Sequence, residues 1–384
     1  MRYRRRGGTR RITVIILAAC SALAASATPL SAGTPASAQP TSIQPIPIKM
    51  VIVTAFEIGE DTGDRAGEYQ AWATVMPTKI AFPIGYRDLR IDPARGVLLL
   101  STGMGTNRAA GSTMALGLDP RFDLRKAYWM VAAIAGVNPN EASVGSAAWI
   151  GNVVDSDYGY GVDPREMPKG WTTGHFSREA TAPYAEPKGD TSYNLFPLNL
   201  GLRDWAYELT KSVKLANPAG LDGIRKEFAA FPRTQTLPAV IKGDEVTGQL
   251  FWHGAIYNDH FEKWTRYWVG AQGRFVMTGM EDSGVVASLA KLGDVGLADP
   301  KRLLVLRTGS NYSLPAPGSG LDAATDLTEH HHAYSALQPS LDAAFAVGSK
   351  VVDEITSHWD RYGNSVPGTS SNVAMVKGGL AAGP

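Results

Sequence analysis

The chain has 384 residues, with 37 Lys and Arg against 36 Asp and Glu, a formal net charge of +1 that offers no basic face for nucleic acid. Its single cysteine, Cys20, excludes a disulfide framework. Beyond the first 38 residues no apolar run approaches the roughly 20 residues that a membrane-spanning helix requires, so the mature chain is not itself a pore.

Residues 1–38 read as an export signal: a basic start, "MRYRRRGGTRR", a short apolar stretch, and small residues ending in Ala36-Ser37-Ala38. "TRRITVIIL" has the look of a twin-arginine signal and "LAAC", ending at Cys20, that of a lipoprotein cleavage box. Cleavage after Ala38 is favoured because the small-residue stretch runs on well past Cys20. That places the mature chain in the periplasm or outside the cell, with about 345 residues, enough for one large domain. Residues 39–47 are a Pro-rich lead-in, 48–363 the expected domain, and 364–384 a small, polar tail expected to be mobile.

Along the domain, "IKMVIVTAF" (48–56) is an apolar, β-branched run of the kind buried in parallel sheets. "GVLLLST", "AYWMVAAIAG" and "RLLVLRTG" repeat the pattern, separated by segments of helical character at 107–118 and 283–292. This rhythm predicts an α/β fold: a single-domain, three-layer sandwich around a mixed, mostly parallel central sheet. "ASVGSAAWIGNVVDSDYGYGVDP" reads as an antiparallel extension of that sheet, and 156–200, rich in Pro, Gly and Tyr, as a long surface excursion. Residues 201–232 are expected to be helical and 336–361 to form a closing amphipathic helix.

The turn "STGMGTNRAAG" (101–111) leads from a strand into a helix, and such turns aim backbone N–H groups at anions or sugar hydroxyls. It is neither a dinucleotide fingerprint, because Arg108 replaces the third glycine, nor a Walker A loop. In open parallel sheets ligands bind beyond the carboxyl ends of the strands. That points to Glu57 and Glu60 after the first run, to Gly103–Asn107, to Gly136, to Glu281 and Asp282 at a helix mouth, and to Ser310 and Asn311. "EHHHAYS" (329–335) reads as a surface histidine run, because adjacent histidines do not converge on one metal. No cofactor or metal is expected. Asp259 and His260 have no G-x-S-x-G elbow beside them, so His253 and His260 are assigned to pocket rim or core.

In order, "VIVTAFE", "LLLSTGMGTNRAA", "IAGVNPNEASVGSAAWIGNVV", "VTGQLFWHG", "TGMEDSGVVASLA" and "LLVLRTGSNYS" resemble the nucleoside phosphorylase and nucleosidase superfamily, and more closely its exported branch, the purine nucleoside permeases. The resemblance runs from Lys49 to the last helix. It implies a nucleoside phosphorylase-like fold in which Gly103, Gly105, Thr106 and Asn107 border the C1′ side of a ribose. Met280 and Glu281 match a pair whose carboxylate takes the ribose hydroxyls. Phe251 falls where an aromatic ring stacks on the base, and Trp252 where backbone groups meet its edge.

Two departures from the family pattern bear on chemistry. Many members have Ser-Asp after the last strand, the Asp protonating the leaving purine; this chain has Ser310-Asn311, and an amide gives up no proton at neutral pH. Leaving-group activation is then weaker, or rests on another acid such as Asp282. The arginine that phosphorolytic members place before the second glycine turn is absent from "AAIAGVNP". Water is then the expected nucleophile, with Glu57 or Glu60 as general base and electrostatic support for a cationic sugar.

Three functions remain in view. The first is a purine nucleoside N-glycosidase acting on adenosine, guanosine or inosine for salvage; the second is a binding protein that hands nucleoside to a membrane transporter; the third, less favoured, is a phosphorylase. Relatives often assemble as homo-oligomers that complete one another's pockets, an arrangement the residues of this chain leave open.

Overall fold

The computed structural model describes residues 44–329 and 335–368. The expected signal, most of the lead-in, residues 330–334 of the histidine run and residues 369–384 lie outside the described residues.

In chain order, β1 (Met50–Thr54) leads to α1 (Gln70–Thr74), β2 (Thr78–Ile80), β3 (Leu89–Asp92), β4 (Val97–Ser101), α2 (Thr106–Gly117), β5 (Tyr128–Val137) and β6 (Ala147–Asp155). After the excursion come β7 (Leu195–Pro197), α3 (Leu200–Thr210), α4 (Ala219–Glu227), β8 (Val240–Thr247), α5 (Ala255–Val269), β9 (Phe275–Gly279) and α6 (Asp282–Asp294). β10 (Leu303–Tyr312), α7 (Ala323–Thr328), α8 (Leu337–Ser357) and α9 (Trp359–Tyr362) complete the described chain.

The ten strands form one mixed sheet in the order β7-β6-β8-β9-β5-β1-β4-β3-β2, with β10 pairing in parallel to β5 and antiparallel to β6. β1 pairs in parallel with both β4 and β5, and β9 closes back on β5 through Met277 and Val137. The central strands lack polar alternation because both faces are covered. Val51 and Val53 of β1 join one core with Leu98, Trp129 and Val285, while Met50 and Ile52, pointing the other way, join a second with Trp72, Trp149 and Val347. α2 and α6 therefore cover one face and α1, α3 and α8 the other, giving three layers. A third cluster, Trp252, Phe261, Trp264, Trp268 and Phe275, seats α5 against β8 and β9.

The expected helix over 201–232 is two helices, because Asn217-Pro218 interrupts it and Pro218 becomes the N-cap of α4. The expected antiparallel extension is partly internal: β6 pairs antiparallel with β10 but parallel with β8. Between Ser156 and Asn194 the chain is irregular except for a short helix, Pro164–Glu166, and a bridge between Tyr160–Gly161 and His175–Phe176. Past Gly363, Val366 still packs against the second core. Among the described residues no helix is long and apolar enough to cross a membrane, and no group of three His, Cys, Asp or Glu is placed to hold a metal ion.

Candidate active site

A cavity opens at the carboxyl ends of β1, β5, β9 and β10. Its titratable lining residues are Glu68, Glu281 and Arg307; Ala55, Phe56, Met104, Ile134, Leu250, Phe251 and Trp252 supply apolar wall.

Glu281 is the N-cap of α6, and α6 packs on α2, so its carboxylate meets the glycine turn. One oxygen accepts the Gly105 N–H at 3.1 Å, and the other accepts Arg307 Nη2 at 2.7 Å. The turn needs glycine: Gly103 and Gly105 have φ of +80° and +96°, and a Cβ on Gly105 would strike the Gln249 side chain. Thr106 Oγ1 donates to the Met280 carbonyl at 3.1 Å, and Asn107 N–H donates to Gln249 Oε1 at 3.3 Å. The turn thus positions the Glu281 carboxylate, while Met104 is the turn residue that lines the cavity.

Arg307 lies within β10, buried on all sides. It donates to the Ile134 carbonyl at 2.9 Å, pairs with Asp282 as well as Glu281, and stands 3.5 Å from Glu245. Although burial works against its charge, Asp282, Glu281 and Glu245 hold the guanidinium well above its ordinary pKa. Burial and the neighbouring Asp282 raise Glu245, and burial raises Asp282. Asp282, expected at the substrate, is fully buried and does not reach the cavity lining.

Glu68 is the acid that the loop after β1 turns inward. Its oxygens accept Ala55 N–H at 2.6 Å and Ile134 N–H at 2.7 Å, binding the ends of β1 and β5 together. Burial, and then the nearby Glu281 charge, push its pKa up to about 8. Glu57 and Glu60 are not brought to the cavity. Glu57 spends its carboxylate on the backbone N–H groups of Ile58, Gly67 and Gln70, which closes the loop, and Glu60 is exposed, its N–H donating to Asp64.

Among the described residues the other end of the cavity carries no charged side chain. A register shift between Gly309 and Asn311 interrupts the β5–β10 ladder, and such an irregularity re-aims side chains. Ser310 and Asn311 both line the cavity there, beside Gly136. Ser310 Oγ donates to the Ala135 carbonyl at 3.1 Å and to Asn311 Oδ1 at 2.8 Å, while Asn311 Nδ2 donates to the Tyr312 carbonyl at 3.0 Å. Phe251 is half-exposed at the mouth, and Trp252 lines the wall while its ring packs on Phe261 at 4.6 Å.

The family model described as purine nucleoside permease matches residues 47–367. This chain belongs to the purine nucleoside permease family. Within it, a purine nucleoside permease of Candida albicans is 26% identical over 322 residues, 82% of this chain and 76% of that one. A probable purine nucleoside permease of Schizosaccharomyces pombe is 27% identical over 329 residues, 81% of this chain and 90% of that one. Among solved structures, futalosine hydrolase of Helicobacter pylori has a TM-score of 0.48 at 13% identity, covering 80% of this chain and 98% of its own. A 5′-methylthioadenosine/S-adenosylhomocysteine nucleosidase of Neisseria meningitidis has a TM-score of 0.44 at 14% identity, covering 79% and 99%.

Of the residues singled out from sequence, this permease-family chain gathers Gly136, Phe251, Trp252, Met280, Glu281, Ser310 and Asn311 around one cavity. Gly103, Gly105, Thr106 and Asn107 stand behind it. Glu68 and Arg307 went unnoticed in the sequence, though an arginine inside the apolar run "LLVLRTG" is itself a signal, since a charge in a strand covered on both faces needs buried partners. His260 belongs to the α5 core: it meets His175 Nδ1 at 2.8 Å and the Tyr184 hydroxyl at 2.5 Å, while Asp259 pairs with Lys263. His253 Nε2 meets Asp326 Oδ2 at 2.7 Å.

Proposed function

We propose that this protein binds purine nucleosides and cleaves their N-glycosidic bond with water. The observation that carries the reading is the pair of inward carboxylates, Glu68 and Glu281, at one end of a cavity whose only lining cation, among the described residues, is already matched by acids. Glu281 takes the ribose hydroxyls. Glu68 in its carboxylate form draws a proton from the attacking water and stabilises positive charge developing at C1′. The apolar wall with Phe251 receives the base, and Asn311 meets its edge.

Phosphate is disfavoured as nucleophile on two grounds. Arg307 has no uncompensated charge to give, and the α2 N-terminus, where an anion would sit, is closed from within the chain by Glu281 on Gly105 N–H and Gln249 on Asn107 N–H. A non-catalytic binder that passes nucleoside to a membrane partner is the second reading, favoured by the neutral Asn311 at the base end. Export through the N-terminal segment places either activity outside the cytoplasm, a point that cell fractionation with and without residues 1–38 tests.

The deciding experiment is chromatography of adenosine, inosine and guanosine incubated with residues 39–384, with and without phosphate. Free base and ribose in the absence of phosphate support hydrolysis. Base only with phosphate overturns it in favour of phosphorolysis, and no base alongside calorimetric binding makes the protein a carrier.

A further inference from the structure

The cavity is electrically lopsided. Its titratable groups, Glu68, Glu281 and Arg307, are tied to one region: Glu68 accepts from Ile134 N–H, Arg307 donates to the Ile134 carbonyl, and Arg307 bonds Glu281. Asn311 pairs with Gly136, two residues further along β5, which is ~6.6 Å at the usual strand rise. Both carboxylates are thus anchored at a point of β5 two residues before the one that Asn311 faces.

At the Asn311 end, among the described residues, the polar side chains lining the cavity beyond Thr278 are Ser310, Asn311 and Ser313. The one donor proton of each serine is already committed. Ser310 donates to Asn311 Oδ1, and Ser313 Oγ donates to Asn258 Oδ1 at 2.6 Å with the Val137 carbonyl also within 3.0 Å of it. The Asn311 amide is oriented unambiguously, because Nδ2 rather than Oδ1 must face the Tyr312 carbonyl. One N–H of that amide bonds the carbonyl and the other is left for a ligand. It is a hydrogen-bond donor that cannot release its proton.

We infer, resting on the hydrolytic reading, that the base departs as an anion and that the preferred substrates are purine ribosides whose bases are the more acidic leaving groups. In the step, the C1′–N9 bond breaks with its electron pair going to the base, the water oxygen bonds to C1′, and the water proton passes to the Glu68 carboxylate. The Asn311 N–H steadies the departing anion. The base takes its proton from solvent after release, and Glu68 returns its own to solvent. With no acid at the base edge among the described residues, charge on the leaving nitrogen is unrelieved in the transition state, so kcat depends steeply on the acidity of the base.

The test is a series of purine ribosides of graded base acidity, from adenosine through inosine to 6-chloropurine riboside, assayed for kcat and KM with the mature chain. The expected result is a rise in kcat of about 100-fold or more along the series, of the size that a missing general acid leaves, with little change in KM. Asn311→Asp should raise turnover of adenosine and flatten the series. Equal kcat for all ribosides with the native chain overturns the inference while leaving hydrolysis intact. No base from any riboside, with calorimetric binding retained, removes the hydrolytic reading and this inference with it. The native series decides the matter even if Asn311→Asp fails to fold.

Discussion

Glu281 and Arg307 hold one another at 2.7 Å inside the molecule, and the carboxylate's second oxygen accepts a backbone N–H from the glycine turn. These two bonds join the end of β9, the middle of β10 and the start of α2. Their consequence is a carboxylate held rigid before any ligand arrives, so that under the proposed function ribose hydroxyls would meet an acceptor already oriented.

Glu281→Gln keeps the shape but removes the charge from this acceptor. Charge-assisted hydrogen bonds contribute about 1.5–3 kcal/mol against about 1 for neutral ones, so nucleoside affinity should fall by about tenfold or more in calorimetry. Unchanged affinity would place the sugar elsewhere in the cavity.

Activity should rise with pH through about 8. Burial makes the neutral form of Glu68 the favoured one below that point, whereas the base that accepts a proton from water is the carboxylate. Below about pH 8, kcat/KM is therefore expected to drop about tenfold per pH unit, and Glu68→Gln should cut the rate by about 100-fold or more and abolish that limb. A pH-rate profile of both proteins checks this, and a limb that survives Glu68→Gln would assign it to another group.

Acid should loosen the 156–194 excursion before it unfolds the core. Burial, and then His175, lower His260 to about 3, and burial lowers His175 as well; Asp259 and Lys263 are the charged neighbours. An opened excursion lets these rings regain an ordinary histidine pKa near 6.5 and bind protons that the closed form refuses. Closure is therefore fully favoured above about pH 6.5 and weakens as pH falls toward 3, by about 1 kcal/mol per pH unit for His260. Limited proteolysis within 160–190 is expected to be faster at pH 5 than at pH 7.5, and His260→Asn should remove most of the difference.

Gly105→Ala forces a side chain into left-handed backbone, at a cost of about 1–2 kcal/mol, and pushes its Cβ onto Gln249. A melting temperature lower by several degrees, together with weaker nucleoside binding, is the expected outcome. Gly111→Ala is the control, since a Cβ there meets nothing within 4 Å and its helix gains propensity.

Much of this molecule is legible in its residues. Apolar runs such as "MVIVT" and "VLLLS" can satisfy their backbone only inside a sheet covered on both faces, and the turn glycines mark where a strand gives way to a helix. The cavity at the strand ends, and the places of Met280, Glu281, Phe251 and Asn311 around it, follow from that rule and from the family pattern. The choice among acids does not follow. "FEIGEDTGDRAGE" holds Glu57, Glu60 and Glu68 within one loop, and which of them faces inward depends on how the loop returns to the start of α1. Glu57 was drawn into closing the loop because three backbone N–H groups converge on it. Glu68 was left to bridge two strand ends because Tyr69, ahead of α1, and Trp72 and Ala73 within it are buried immediately after it.

The charge balance of the site likewise exists only in three dimensions. Glu245, Glu281, Asp282 and Arg307 come from three separated segments, and each would be costly to bury alone. The sequence by itself determined the layers of the fold and the neighbourhood of the site, because periodicity and turn residues act locally. Which carboxylate is poised and which cation is spent was decided by the tertiary structure alone, since burial and pairing are properties of the distances between segments.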